Sequence, residues 1–173
     1  AKSLAGSSAG EGAGLLANFT ASKDTADVKS LAGTVSLLYN NEILDAAEHP
    51  ALEALFESSC LCNNACLTGR AVVGQPTEGA LLMAAAQLGI ADKRSLMQRT
   101  KEESFSSERK FMSVSYGGSG SGSGATTFIK GALEVVLPMC MTYLDKQGHA
   151  ALLDSPTRDT VCRRALEMAR DGL

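Results

Sequence analysis

The sequence predicts an α/β protein in the broad sense (α+β), with an antiparallel or mixed sheet flanked by helices. Three observations point there. Apolar residues recur at helical spacing in segments that begin near Pro50, Thr77 and Ser155. Between these segments lie short runs in hairpin-like order, punctuated by Gly, Ser and Asn. Strict alternation of strand and helix, the mark of an all-parallel sheet, is absent.

The elements follow in order. Residues 1–33 are rich in Ala, Gly and Ser at their start and read as a poorly defined lead-in, disordered in part. The domain proper is expected over 34–173. A β-leaning stretch covers Thr34 to Leu38, and Asn40-Asn41 reads as a turn. Pro50 suits the first turn of a helix that places Leu52, Leu55, Phe56 and Cys60 on one face. Thr77 is the expected N-cap of a second helix with Leu81, Leu82, Ala85 and Leu88 as its stripe, and Gly89 stands where a helix ends. Residues 97–116 predict two strands joined near Ser106 to Arg109. The second alternates Met112, Val114 and Tyr116 on one side with Phe111, Ser113 and Ser115 on the other. The run GGSGSGSG at 117–124 is too regular for a natural loop and reads as an engineered linker. Its expected span is about 16 Å, enough to join neighbouring strands. As a phosphate-binding loop it lacks the Gly-Lys-Ser/Thr ending. A strand over Thr126 to Ile129, a helix from Leu133 to Cys140, a short strand at Ala150 to Leu153 and a final helix from Ser155-Pro156 complete the chain. Val161, Ala165, Met168 and Ala169 form the last apolar stripe, and Gly172 is its expected stop.

Composition narrows the function. At 173 residues the chain fits one domain with a sizeable core. The net charge is −3 with acids and bases interspersed, so no basic face invites nucleic acid and no polybasic run invites a membrane surface. No apolar stretch reaches the roughly 20 residues of a membrane helix, and no secretory leader is legible. The chain opens on Ala1, which an excised fragment or a tag remnant would explain. The five cysteines (Cys60, Cys62, Cys66, Cys140, Cys162) are odd in number and form no CxxC pair. They are expected to be free thiols, buried or half-buried. Cys60 would point away from a site built on Cys62 and Cys66, and His49 and His149 lack ligand spacing, so no metal centre is expected.

Three segments carry candidate chemistry: GQPTEGALL (Gly74 to Leu82), FSSERKFMSV (Phe105 to Val114) and KGALEVVL (Lys130 to Leu137). Phe105, set among serines at a strand-to-turn junction, either closes a hairpin core or offers a ring face to a base, a stack worth about 1–3 kcal/mol. Glu78 either stabilises the helix start or accepts a proton from an adenine exocyclic amine. Lys110 and Lys130 are either solvated surface groups or point charges for phosphate. Gly131 would let the backbone approach a ligand closely. Against these, there is no Ser/His/Asp set, no GxSxG, no HExxH and no cluster of metal-binding carboxylates. Asp24 and Asp145 have no frame for phosphoryl transfer. The residues suit holding a nucleotide without cleaving it, and no catalytic residue is expected within the chain.

Taken in order with LCNNA at Leu61 to Ala65 and with KGALEVVLPMC, these segments resemble the nucleotide-binding domain of P-type ATPases. They are most similar to calcium pumps of the secretory-pathway (Golgi) type, and the likeness runs from about Tyr39 to Leu173. The resemblance implies a twisted, mainly antiparallel sheet flanked by helices. It implies that adenine stacks on Phe105, that Glu78 with Thr77 lies near the adenine amine, and that Lys110 lines the pocket. It further implies that Lys130, Gly131 and Ala132 sit deep in the pocket and that Met112 forms an apolar wall. The implied ligand is ATP, as Mg-ATP in the parent pump, and the implied partners are the pump's phosphorylation and actuator domains. Such a chain would be a cytosolic part of a membrane pump, monomeric and soluble as a fragment, with no direct membrane contact. Three departures stand out. Ser107 replaces an arginine of some calcium pumps, Leu133 replaces the proline common after KGA, and the chain ends at Gly172-Leu173 where relatives continue to an arginine. The DKTGT motif is also missing, so the fragment alone is expected to be inactive. The alternatives are a pump of other ion selectivity and an interaction module that keeps the fold without the ligand.

Overall fold

Pro50 has no N–H to lose at a helix start, and a 12-residue helix (α1, Pro50–Leu61) begins on it. The computed structural model describes residues 48–68, 71–117 and 124–170, together with the backbone of 38–39 and 42–43. Before α1, the strands β1 (Leu38–Tyr39) and β2 (Glu42–Ile43) pair antiparallel. After it, β3 (Cys66–Thr68) and β4 (Ala71–Val73) form a second antiparallel hairpin. The helix α2 (Pro76–Gln87) follows and packs on α1. A Cβ at Gly79 would lie 2.1 Å from Val72 Cγ1, so the absent side chain is what lets α2 close on β4.

A three-stranded antiparallel sheet follows: β5 (Arg99–Glu103), β6 (Phe111–Tyr116) and β7 (Thr126–Gly131), with β6 in the middle. The β6–β7 register is continuous from Phe111↔Gly131 to Tyr116↔Thr126. The Gly/Ser run thus joins two strands that are paired to their ends. The short α3 (Leu133–Val136) continues into a 3₁₀ turn at Leu137–Met139. The hairpin β8 (Thr142–Leu144) and β9 (Ala150–Leu152) leads to α4 (Ser155–Arg170). Asp154 caps α4 by accepting from Thr157 N–H at 2.9 Å, and Arg158 ties the helix to the Leu137 carbonyl at 2.7 Å and to that of Cys140.

Among the described residues two apolar clusters form the core, and they meet at the end of α1. One joins Phe56, Cys60 and Ala65 to Leu82, Ala84 and Ala85 of α2. The other joins Leu61 and Cys62 to Met112, Val114 and Tyr116, whose alternation puts them on one side of β6. Tyr116 donates to the Leu61 carbonyl at 2.8 Å, so its hydroxyl is satisfied inside the core.

Several expectations are corrected. Gln75, not Thr77, occupies the N-cap of α2, because Pro76 takes the first helical position. Leu55 is 57% exposed and Leu61 replaces it inward, as the helix turns its C-terminal end onto the sheet. The single helix expected over Leu133 to Cys140 is broken, with Pro138 inside its 3₁₀ continuation. The hairpin β3–β4 and the strand β8 were not expected. Cys60 and Cys62 are buried, but Cys66 and Cys162 are exposed, so the thiols do not share one environment. No residue of α4 is fully buried, and Met168 and Ala169 of its expected stripe lie exposed. The lead-in, the Asn40-Asn41 turn, most of the Gly/Ser run and Gly172 lie outside the described residues.

Candidate functional site

Glu78 is the third residue of α2, where a carboxylate meets the helix N-terminus favourably. Its oxygens, however, are engaged from outside the helix. Lys130 Nζ donates to Oε1 at 2.6 Å, and Asn64 N–H donates to Oε2 at 3.0 Å. The Glu78 side chain is 13% exposed and that of Lys130 28%. A carboxylate offers about four acceptor positions, so two remain for another donor.

Lys130 reaches Glu78 because of strand register. It lies opposite Met112, and directly opposed residues project to the same side of a sheet. Met112 is 2% exposed and packed with Leu61, Cys62, Val114 and Tyr116. It therefore supports the site from beneath and presents little of its own surface. Cys62 Sγ lies 3.6 Å from the Met112 carbonyl oxygen. Burial pushes the Cys62 thiol up, against the pull of the Lys130 ammonium.

The β5–β6 turn carries the ring. Lys110 N–H donates to the Ser106 carbonyl at 2.7 Å and Arg109 N–H to Ser106 Oγ at 3.2 Å. The Arg109 guanidinium also holds the Ser104 carbonyl. Within this closed turn Phe105 is 60% exposed, so it is not a core residue of the hairpin. Lys110 has φ 58°, a left-handed backbone rare for a side chain of its size. Its carbonyl accepts from Ala132 N–H at 2.9 Å, and a Cβ on Gly131 would fall 2.4 Å from that same oxygen. Only glycine at 131 permits this approach. Lys110 Nζ reaches Glu134 Oε1 at 3.0 Å, an exposed pair. Thr77 is exposed in the first turn of α2, and Ala132 caps α3.

The segment Leu61 to Ala65 binds these parts together, and its asparagines escaped a residue-by-residue reading. Asn63 is 0% exposed. Its Nδ2 donates to the Ser59 carbonyl at 3.2 Å and the Glu78 carbonyl at 3.0 Å, and its Oδ1 accepts from Ala65 N–H at 2.8 Å. It therefore joins the end of α1 to the start of α2. Arg94 supports the same segment, donating to the carbonyls of Asn63 and Ala65 at 3.0 and 2.8 Å. Its hydrogen bonds to Asp92 hold that carboxyl below its usual range. The LCNNA string was the available signal, but nothing in its composition marks one Asn as buried.

Two open depressions flank this set. One of about 460 Å³ is lined by Asn63, Asn64, Arg94, Arg99 and Tyr116 among others. The other, of about 510 Å³, lies between α3 and α4. Neither contains Phe105, Lys110 or Lys130. Among the described residues, no group of three or more His, Cys, Asp or Glu gathers as a metal site, and no helix is long and apolar enough to cross a membrane.

Residues 51–173 match the family described as P-type ATPase, cytoplasmic domain N. Over 132 residues the chain is 35% identical to calcium-transporting ATPase type 2C member 2 of Mus musculus, a match covering 76% of this chain and 14% of that protein. Over 138 residues it is 30% identical to calcium-transporting ATPase type 2C member 1 of Homo sapiens, covering 79% and 15%. Over 131 residues it is 33% identical to calcium-transporting ATPase 1 of Schizosaccharomyces pombe, covering 70% and 14%. The chain thus spans about one seventh of the length of the curated relatives it matches.

Proposed function

Since this chain belongs to the P-type ATPase cytoplasmic domain N family, we propose that it binds ATP by the adenine end and presents the triphosphate to the phosphorylation domain of a calcium-transporting pump. The observation that carries this reading is the shared placement of Glu78, Lys130 and Lys110 around the β6–β7 end of the sheet, next to a turn that leaves Phe105 exposed. The ring face suits stacking on a purine. The free acceptor positions of Glu78 suit an exocyclic amine, and the lysines suit phosphate.

The chain's part in the reaction is positioning, because in-line phosphoryl transfer depends on geometry and electrostatics. Cleavage belongs to an aspartate on another domain, and magnesium travels with the triphosphate. Affinity around the millimolar level, about 4 kcal/mol, suits a carrier that must release its product. The names of the relatives support calcium as the transported ion, and the family description, a cytoplasmic domain, supports a position on the cytosolic face of such a pump. We place the parent pump in the secretory pathway and read the chain alone as a monomer.

The test is a titration of the isotope-labelled chain with ATP and with GTP. ATP should move the resonances of Phe105, Lys110 and Lys130, and Glu78→Ala should narrow the preference for ATP over GTP. Silence at all three residues would favour an interaction module on the same fold. An unaltered preference in Glu78→Ala would return Glu78 to a structural role at the helix start.

A further inference from the structure

The strand β5 contains one residue too many for its partner. Arg99 pairs with Tyr116 and Lys101 with Ser115, which leaves Thr100 as the extra residue of a β-bulge. The bulge decides where two charges point. In a regular strand, residues three apart face opposite sides. Here Arg99 shares a side with Tyr116, and Glu102, opposite Val114, shares the same covered side. The two meet as an ion pair at 2.9 Å.

Both converge on Asn64. Arg99 donates to Asn64 Oδ1 at 2.6 Å, and Glu102 Oε1 accepts from Asn64 Nδ2 at 2.6 Å. Arg99 also donates to the Asn63 carbonyl at 2.9 Å while its guanidinium lies 5.8 Å from the centre of the Tyr116 ring. The carbonyl of Asn63 and the N–H of Asn64 belong to one planar peptide group, so gripping the former orients the latter. That N–H is the donor to Glu78 Oε2. Ser104, beside Phe105, completes the set by donating to Glu102 Oε1 at 2.8 Å. These bonds from Asn64 and Ser104 hold the Glu102 carboxyl below its usual range, so it stays an acceptor at neutral pH.

We propose that Arg99 and Glu102, brought to one side of the sheet by the bulge at Thr100, are positioning residues that fix the Glu78 carboxylate through the Asn64 amide and so set the site's preference for a purine with an amine rather than a carbonyl at C6. The selectivity half rests on the nucleotide reading above. Neither residue is required to touch the base. Together with Arg94, which grips the same Asn63 carbonyl from the other element, they stop the Asn63–Asn64 peptide from rotating, and with it the donor that holds one oxygen of Glu78 in place.

The test uses Arg99→Gln and Glu102→Gln in the full 173-residue chain, each alone and combined with Glu78→Ala. Glu102→Gln keeps the shape of the side chain, so it remains informative if Arg99→Gln folds poorly. Either single change should reduce the ATP-to-GTP affinity ratio by about threefold or more, in the range of couplings between groups in one network. In the Glu78→Ala background neither should alter the ratio. A second measurement needs no ligand. The Asn64 amide proton, bonded to a carboxylate, should resonate downfield and move upfield with Arg99→Gln, Glu102→Gln or Glu78→Gln. Equal weakening of ATP and GTP, with the Asn64 resonance unmoved, would make both residues merely structural and overturn the proposal. If the unaltered chain binds neither nucleotide, the functional reading and the selectivity half fall together. The Asn64 resonance then decides the positioning half alone, and a fixed resonance overturns that too.

Discussion

Phe105 leaves water only if something else covers it. A ring with that much exposure loses apolar hydration when a flat partner stacks on it, whereas a core phenylalanine would have nothing to gain. Phe105→Ala should therefore cost about 1–3 kcal/mol of ATP affinity with little change in thermal stability. A calorimetric or NMR titration beside a melting curve checks both halves, and unchanged affinity would remove stacking from the account. The sequence offered two uses for this ring, and only exposure separates them. The same holds for Glu78. Its place in the first turn was legible, but its partners Lys130 and Asn64 come from 52 and 14 residues away and no local pattern announces them.

At the level of elements, the joint between α1, α2 and the sheet is Asn63. Three of its hydrogen bonds satisfy backbone groups on both helices and in the segment between. Asn63→Ala would leave buried donors and acceptors unpaired, at about 1–3 kcal/mol for each group left without a partner. The expected loss is about 2–4 kcal/mol of folding stability, read from urea unfolding, with nucleotide binding weakened as α2 loosens. A loss below the error of the measurement would show that water replaces the amide. Elements with strong periodicity were legible: β6 alternates as expected because one of its sides is covered by α1. Three-residue strands were not. In β4 the apolar residues Val72 and Val73 remain exposed, so burial imposed no pattern to read, and in β3 only Leu67 turns towards the core, too little for an alternation to register. The bulge in β5 was invisible for another reason. An extra residue exists only relative to a partner strand, and sequence spacing does not name that partner.

Over the whole molecule, the candidate groups come from the start of α2, the β5–β6 turn and the end of β7, and they are carried by two cores that share the end of α1. This arrangement suits a rigid holder. If the chain's part is positioning alone, as proposed, the purified chain should show no ATP turnover above background over hours of incubation. Sustained phosphate release that copurifies with the chain and disappears in Phe105→Ala would contradict the division of labour proposed here. The fold class was legible at this scale because long helices and the β6 alternation dominate it. The division of pairing among the described residues into one three-stranded sheet and three hairpins was not, since it depends on which short strands find each other.

The left-handed backbone at Lys110 has one more consequence. Glycine would take up the same torsion angles without a Cβ penalty, which for other residues is about 1–2 kcal/mol. The chain keeps an ammonium there, and the exposed contact with Glu134 contributes little to offset the strain. Lys110→Gly should accordingly raise the melting temperature while lowering ATP affinity, which parallel thermal and titration series would reveal. A variant that melted later and still bound as well would mean the lysine is there by accident. The expected opposition makes this turn a place where durability has been given up for grip.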